Sequence, residues 1–469
     1  MAAPDDLTLV LDIGKTRAKL LMVAEDGGLR ARHERANRSV ASALGYPALD
    51  VHGIAAWIRE TLAASPLAAR CRRAIATTHG AALVALGDEG LAWEPLDYEF
   101  DGPDELAAEY DVRRDAFELT LAPDLPAGLN AARQLHWLQR RHPGAWARTR
   151  VLLPYAQYWA WWLCGVAASE PSSLGCHTQL WQPARERFSD FAQAEGWAAR
   201  FAPVVPAWQV LGRVTPARAA QLGLPADCEV HAGVHDSNAC LARHLRNRAA
   251  MTLLSSGTWT VVMAPGAPLD GLRAADDMLG NVSVLGTPTP TARFMGGREF
   301  ERLLDGARPE AASLQALVRL VESDTVALPA FSEQGGPFRA RHGEVRRGGQ
   351  ALAGPLSAQL GEAARATLAA LYCAQLSATL VTRLRGASPL VVEGPLAHNP
   401  VFLGALAALL PGHECFASED ALEGTARGAW LLSRWSRRKT SPDALCRVTP
   451  CPVPGLIPYH ARWLQALDS

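Results

Sequence analysis

Lysine is almost missing from this chain of 469 residues: Lys15, Lys19 and Lys439 stand against 43 arginines. The arginine excess does not make the protein basic, because 46 basic side chains meet 47 acidic ones and the formal net charge is −1. A global field that would recruit nucleic acid or an anionic membrane is therefore excluded. Paired cysteines are missing too. Nine cysteines are scattered without a single Cys-x-x-Cys, which argues against a zinc ribbon and a disulfide framework and for a reduced, cytoplasmic protein. The opening MAAPDDLTLVLDIG carries acids where a secretory signal carries bases. The uncharged stretch from Val151 to Ser169 is interrupted by Pro154, Gln157 and two tyrosines, so a buried tryptophan-rich helix is expected there rather than a membrane span.

What is present is globular. Hydrophobic residues make up 49% and charged residues 20%, which excludes wholesale disorder, and the length predicts two or three domains. Richness in alanine and arginine matches the codon usage of a GC-rich bacterium. Leu7–Leu11 reads as a strand ending at Asp12, Gly14-Lys15-Thr16 turns the chain, and Ala18–Val23 returns as a second strand. Helices are expected over His52–Ala63, Ala131–Arg141 and from Tyr155 onward, with a short buried strand Ala74–Thr78 ending at His79-Gly80. Cys228–Val234 reads as a strand ending in His235-Asp236. A second hairpin, Met251–Leu254 and Trp259–Met263, turns at Ser255-Ser256-Gly257-Thr258. It lies about half a chain after the first, which predicts a duplicated architecture with a boundary near residue 243, in the arginine-rich stretch before Arg248. Beyond it come a long helix Leu356–Leu384 capped by Gly386, a strand Pro389–Val392, a helix from Pro400 to Leu410 with Asn399 as N-cap, a helix Ala421–Arg434, and a proline-rich tail after Thr440.

Turns rich in Gly, Ser and Thr aim N–H groups and hydroxyls outward and can cradle an anion, although most glycine turns between strands are only turns. Lys15 adds weight to the first, since a lysine kept at a turn tip in an arginine-using chain fits phosphate binding; the alternative is a solvated lysine, as Lys19 and Lys439 are read to be. Rival motifs fail. Leu9 stands where a P-loop needs its first glycine, no Gly-x-Gly-x-x-Gly follows a strand, and neither His-Glu-x-x-His nor Gly-x-Ser-x-Gly occurs. Asp12 and Asp236 close buried strands. They could cap turns, or act as a pair in which one carboxylate holds Mg²⁺ and the other takes a proton from a hydroxyl. His79 is either a buried, satisfied histidine or a substrate contact. Glu170, read as closing the tryptophan-rich helix, is a sugar-hydroxyl acceptor or a solvated helix end.

In this order the pieces resemble the FGGY family of carbohydrate kinases, within the actin-like ATPase superfamily. Asp12-Ile13-Gly14-Lys15-Thr16 is similar to the first phosphate loop, Thr78-His79-Gly80-Ala81 to the first sugar-contacting segment, and Glu170-Pro171-Ser172-Ser173 to the acidic segment after the long helix. Gly233-Val234-His235-Asp236 resembles the segment with the catalytic aspartate. Ser255-Ser256-Gly257-Thr258-Trp259 is similar to the second phosphate loop, notably in the rhamnulokinase- and fuculokinase-like branch. Gly335-Gly336-Pro337-Phe338 and the adenosine motif Glu393-Gly394 to Asn399-Pro400 complete the series. The family's literal Phe-Gly-Gly-Tyr is replaced by Phe294-Met295-Gly296-Gly297, and Pro395 replaces a glycine of the adenosine motif, which predicts a looser grip on adenine.

The resemblance implies an α/β protein of two RNase H-like domains around a hinged cleft: residues 1–243 binding sugar and 244–469 binding nucleotide. It implies an ATP- and Mg²⁺-dependent phosphotransferase acting on a hydroxyl of a small sugar, a ketose or deoxyketose such as rhamnulose, fuculose, ribulose or xylulose. Asp236 would be the base. Asp12 would hold the metal. Gly14, Lys15, Thr16, Gly257, Thr258, Gly394 and Asn399 would bind ATP, while His79, Gly80 and Glu170, with Asp236, would bind the sugar. No nucleic-acid or membrane partner follows, and a homodimer is compatible. The alternative is a non-catalytic sugar- and nucleotide-binding sensor on the same scaffold, against which the retained Asp236 argues.

Overall fold

The computed structural model describes residues 6–246, 248, 250–332, 335–338, 341–418, 424–436 and 445–468. The chain forms two compact units: Met1–Arg246 with Gly280–Pro288 and Glu423–Pro442, and Asn247–Leu279 with Thr289–Leu422 and Asp443–Ser469.

The first unit is built on strands β1 (Leu7–Ile13), β2 (Arg17–Val23), β3 (Leu29–Ala36), β4 (Cys71–Thr78), β5 (Val210–Arg213), β6 (Glu229–His231) and β7 (Val234–His235). Their order is β5-β6-β4-β1-β2-β3, with β7 also pairing β4. The first three strands are antiparallel, while β4 runs parallel to β1, β6 and β7. All seven residues of β1 are buried, the continuous run expected of a strand covered on both faces. Helix α1 (Val51–Ala63) buries Ile54, Ile58 and Leu62, and Asp50 caps it by accepting from the Gly53 N–H at 2.8 Å. Helices α2 (Ala131–Arg141) and α3 (Tyr155–Cys164) follow. The uncharged stretch is thus a strand, Val151–Pro154, and a ten-residue helix ended by Gly165 at φ +76°. Trp159 is fully buried, and its edge contacts with Tyr155, Tyr158 and Trp162 run along α3 itself and make the helix an aromatic block. Among the described residues no helix is long and apolar enough to cross a membrane.

The strand expected over Cys228–Val234 is two strands. Gly233, at φ +90°, breaks it, and a Cβ there would lie 2.7 Å from the Ala76 carbonyl oxygen. The buried Gln157 of α3 donates to the carbonyls of Ala232 and Gly233, at 3.1 and 3.0 Å, and fixes the step. A one-turn helix α4 (Pro171–Leu174) and helix α5 (Asp236–Leu245) complete the elements that bear on the site. The helix expected over Ala421–Arg434 is observed as Gly424–Leu432, residues 421–423 lying outside the described ones, as do Lys439 and residues 441–444 of the tail. Gly428 lets it approach α5: a Cβ would fall 1.8 Å from the Ala239 oxygen.

The second unit repeats the plan with β8 (Thr252–Ser255), β9 (Thr260–Met263), β10 (Pro288–Phe294), β11 (Leu390–Glu393), β12 (Cys415–Ser418) and β13 (Leu445–Arg447), in the order β10-β9-β8-β11-β12-β13. Strand for strand the directions match those of the first sheet: an antiparallel trio, two parallel additions, then an antiparallel edge. This is a duplicated RNase H-like arrangement. Around it pack α6 (Gly296–Leu304), α7 (Glu362–Arg383) and α8 (Pro400–Leu409). The long helix expected from Leu356 is interrupted. One turn covers Leu356–Gln359, and Leu360 is extended and buried. The buried guanidinium of Arg365 donates to the Leu360 carbonyl at 2.6 Å. The C-terminal cap also differs from expectation. Arg385 takes the left-handed conformation at φ +53°, its N–H bonding Thr382 O at 3.0 Å and that of Gly386 bonding Val381 O at 3.0 Å, a Schellman pair. Gly386 is required for proximity instead, since a Cβ would lie 2.5 Å from Thr252 Oγ1.

Candidate active site

In the first unit the register sets the site. Thr77 of β4 faces Asp12 on β1 and Val234 on β7, so three neighbouring parallel strands deliver Asp12, His79 and Asp236 to their common carboxyl end. Adjacent strands lie about 4.8 Å apart, which puts Asp12 and Val234 roughly 10 Å from each other across β4. Ligands of open α/β sheets bind at such carboxyl ends.

Asp236 is the first residue of α5. Its Oδ1 accepts from the Ser237 N–H at 2.6 Å and hydroxyl at 3.2 Å, and the side chain is 35% exposed. Oδ2 makes no hydrogen bond among the described residues. His235 lies buried behind it. Asn238 Nδ2 donates to His235 Nδ1 at 3.2 Å, which leaves the ring proton on Nε2, 3.2 Å from Asp236 Oδ1 and 3.1 Å from Cys176 Sγ. Burial pushes the His235 pKa down, so a neutral imidazole braces the aspartate. His79 donates from Nδ1 to the Gly80 carbonyl at 2.8 Å and stands edge-on to Tyr98. Burial pushes its pKa down as well, leaving Nε2 as an acceptor. Together with Gly80, Tyr155, Ser173 and His235 it lines a narrow recess.

The turn after Asp12 is closed by Gly14 N–H to Arg17 O at 2.9 Å. Asn37 takes the turn's carbonyls, donating from Nδ2 to Gly14 O and from its N–H to Thr16 O, both at 2.8 Å. The N–H groups of Lys15 and Thr16 and the Thr16 hydroxyl are left uncommitted among the described residues. The Lys15 ammonium is not. It pairs with Asp97, lies 3.5 Å from Glu99 and sits over the Tyr98 ring at 5.0 Å. Burial raises the Asp97 pKa, but hydrogen bonds from Lys15 and Ser39 outweigh it and hold the carboxyl below its ordinary value. Lys19, read from sequence as a solvated lysine, faces Asp12 across the hairpin at 3.5 Å. The signal was available: a turn closed by residues 14 and 17 makes 12 and 19 cross-strand partners.

Glu170 differs from its expectation. It does not end the tryptophan-rich helix, which stops at Gly165, and it is not solvated; its exposure is 0%. It caps α4, Oε2 accepting from the Ser173 N–H at 2.9 Å and from the hydroxyls of Ser172 and Ser173 at 2.6 and 3.1 Å. Burial, opposed by these bonds, pushes its pKa up to about 7.

In the second unit the turn between β8 and β9 is anchored on both sides. Ser256 donates its hydroxyl to Glu393 O at 2.6 Å and accepts from the Leu396 N–H at 3.0 Å. Gly394, at φ +82°, allows this contact, since a Cβ would sit 1.8 Å from Ser256 O. On the other side Trp259 lies under the Arg293 guanidinium at 4.8 Å. Arg293 grips the buried Asp277 through two 3.1 Å bonds, and Asp277 also accepts from the Gly336 N–H. Between these anchors Gly257 and Thr258 are exposed. They line a cavity of about 1240 Å³ with Gly297, Arg298, His398 and Asn399, ample for a nucleotide. Gly297 closes onto the turn, its N–H bonding Thr258 O at 3.2 Å. Asn399 lines the cavity while its Oδ1 caps α8, accepting from the Phe402 N–H at 3.0 Å. Pro395 is the first residue of a 3₁₀ turn, Pro395–His398, a position where the turn itself needs no N–H from it.

The candidates therefore gather in two groups. Asp12, Gly14–Thr16, His79, Gly80 and Asp236 share one sheet end of the first unit. Gly257, Thr258 and Asn399 share the cavity of the second, with Gly394 packed behind it. Among the described residues no three His, Cys, Asp or Glu side chains cluster as a metal cage.

The family model described as carbohydrate kinase FGGY, C-terminal domain, matches residues 248–442. Among solved structures, a carbohydrate kinase from Novosphingobium aromaticivorans is 35% identical, with a TM-score of 0.88 over 99% of both chains. A xylulose kinase from Lactobacillus acidophilus (12% identical, TM-score 0.75, 99% of both chains) shares the fold. So does Plasmodium falciparum glycerol kinase with ADP (10% identical, TM-score 0.75, 99% of this chain and 98% of that one). No curated protein shows significant similarity to the chain.

Proposed function

The chain belongs to the FGGY family of carbohydrate kinases, and from that premise we propose that it transfers the γ-phosphoryl group of ATP to a hydroxyl of a ketose or deoxyketose. The observation that carries the reading is Asp236: a half-exposed carboxylate with Oδ2 uncommitted, at the carboxyl end of three parallel strands. There it takes the proton of the acceptor hydroxyl, and the oxygen so freed attacks phosphorus in line. His235, neutral and with Nε2 3.2 Å from Oδ1, backs the carboxylate. His79 Nε2 accepts a second sugar hydroxyl. The open N–H groups of the two turns, with the hydroxyls of Thr16 and Thr258, bind phosphate oxygens, and the cavity beside Gly257 receives the nucleoside.

Asp12 suits Mg²⁺, which is commonly held by one or two carboxylates with phosphate oxygens and water completing its shell. When bound there the metal would neutralise charge on the transferring phosphate. Lys19, 3.5 Å away across the hairpin, orients the Asp12 carboxylate. A screen over ketoses and deoxyketoses with coupled ADP detection identifies the acceptor.

The decisive variant is Asp236→Asn. The amide keeps an oxygen for the Ser237 N–H but does not accept the proton. Turnover should fall ~10²–10⁴-fold with the melting temperature unchanged. Turnover within a few-fold of the parent would remove Asp236 from the chemistry.

A further inference from the structure

We propose that Arg298 is the cation that grips the phosphate chain of the nucleotide; this rests on the reading of the second unit's cavity as the nucleotide site. A polyphosphate needs positive charge as well as N–H groups, and the sequence offers Lys15 for it. Lys15 is committed in the first unit to Asp97 and Glu99. Three cationic or basic side chains line the cavity: Arg298, Arg302 and His398. Arg302 spends Nη1 on the Phe331 carbonyl at 3.0 Å. His398 sits on the adenosine-motif turn, Pro395–His398, rather than at the phosphate turn. Arg298 makes no hydrogen bond or ion pair among the described residues, and it is exposed on the cavity wall.

Its place in the fold argues for phosphate rather than for base or ribose. Arg298 directly follows Gly297, whose N–H is bonded to Thr258 O and whose Cα leaves no room for a side chain: a Cβ there would lie 2.4 Å from Gly257 O. The helix that carries it, α6, therefore begins in contact with the Gly257-Thr258 tip, and Arg298 is in its first turn. The tip contributes open N–H groups and the Thr258 hydroxyl, and the guanidinium contributes a planar fork that matches two phosphate oxygens. The neighbouring wall carries the opposite sign, Glu301 and Glu310. Those carboxylates repel phosphate and leave Arg298 as the attractive end of the cavity.

The test compares ADP with adenosine by titration calorimetry on the full-length parent, Arg298→Ala and Arg298→Lys. Arg298 is exposed, so both variants should melt at the parent temperature. Losing charge-assisted hydrogen bonds to phosphate should weaken ADP binding of Arg298→Ala about ten- to a hundredfold. Adenosine, which lacks phosphate, should bind parent and variant equally, and Arg298→Lys should recover part of the ADP affinity. Equal ADP affinity in parent and Arg298→Ala would overturn the proposal, as would an equal loss for adenosine. A parent that binds neither ADP nor adenosine would overturn the cavity reading itself, and the proposal with it.

Discussion

Replacing Glu170 by Gln should stabilise the protein, and only at neutral and alkaline pH. Glu170 is fully buried, and its Oε1 finds no hydrogen-bond partner among the described residues. Burial raises its pKa from an ordinary 4.5 to about 7 against the pull of Ser172 and Ser173. A carboxyl whose folded pKa lies above its unfolded one binds more protons when folded. Stability must then fall as pH rises between the two values. Below pH 4.5 both states are protonated and nothing is lost; above pH 7 the cost is complete. The shift corresponds to about 3 kcal/mol. Glutamine keeps a carbonyl oxygen for the Ser173 N–H and carries no charge to desolvate. It gives up the charge-assisted part of the serine bonds, so the net gain at pH 8 is smaller, about 1–2 kcal/mol. At about 2 °C per kcal/mol for a domain of this size, the variant should melt roughly 2–4 °C above the parent at pH 8 and level with it or slightly below at pH 4.5. Scanning calorimetry at both values, with the sugar KM measured at pH 8, decides. A variant that melts lower at pH 8, or one whose sugar KM rises many-fold without gain in stability, would refute the argument. The latter would return Glu170 to the role of a sugar ligand.

Two further changes probe the anchors of the turn between β8 and β9. Gly394→Ala should cost at least about 3 kcal/mol, because φ +82° strains any side chain and the new Cβ would overlap the Ser256 oxygen; a melting temperature within 1–2 °C of the parent, or ADP affinity unchanged by calorimetry, would contradict this. Asp277→Asn should leave Arg293 half-paired beneath the turn and cost about 2–4 kcal/mol, with a weaker grip on ADP as Trp259 loosens; parent-like melting and parent-like ADP affinity would show that the Arg293–Asp277 pair does not hold the turn.

What could be read from the sequence was local. The hairpin around Gly14, its counterpart around Gly257, and the strand ends at His79 and Asp236 are each announced by residues within a few positions of one another, so alternation and turn chemistry locate them. The duplicated sheet followed from two such hairpins half a chain apart. The departures have physical causes at longer range. Leu356–Arg383 has helical periodicity throughout, yet the buried Arg365 captures the Leu360 carbonyl and the helix restarts at Glu362. Arg385 takes the left-handed position while Gly386 is kept for its fit against Thr252, and no propensity scale contains that contact.

Charge partners divide in the same way. Lys19 faces Asp12 because the turn dictates it, whereas the Lys15–Asp97 pair joins residues more than eighty positions apart and depends on how the segment after β4 folds back. An acidic residue ahead of a proline and two serines presents the same pattern whether it caps a solvated turn or a sealed one. Glu170 is sealed because tertiary packing covers α4. The gap between a solvated helix end and a buried carboxyl with a pKa near 7 is therefore a property of the packed unit. For the same reason no pattern in the sequence marks Arg298. Lys15 has the sequence context of a phosphate ligand and is committed elsewhere, while Arg298, one arginine among 43, is singled out only by the wall it stands on.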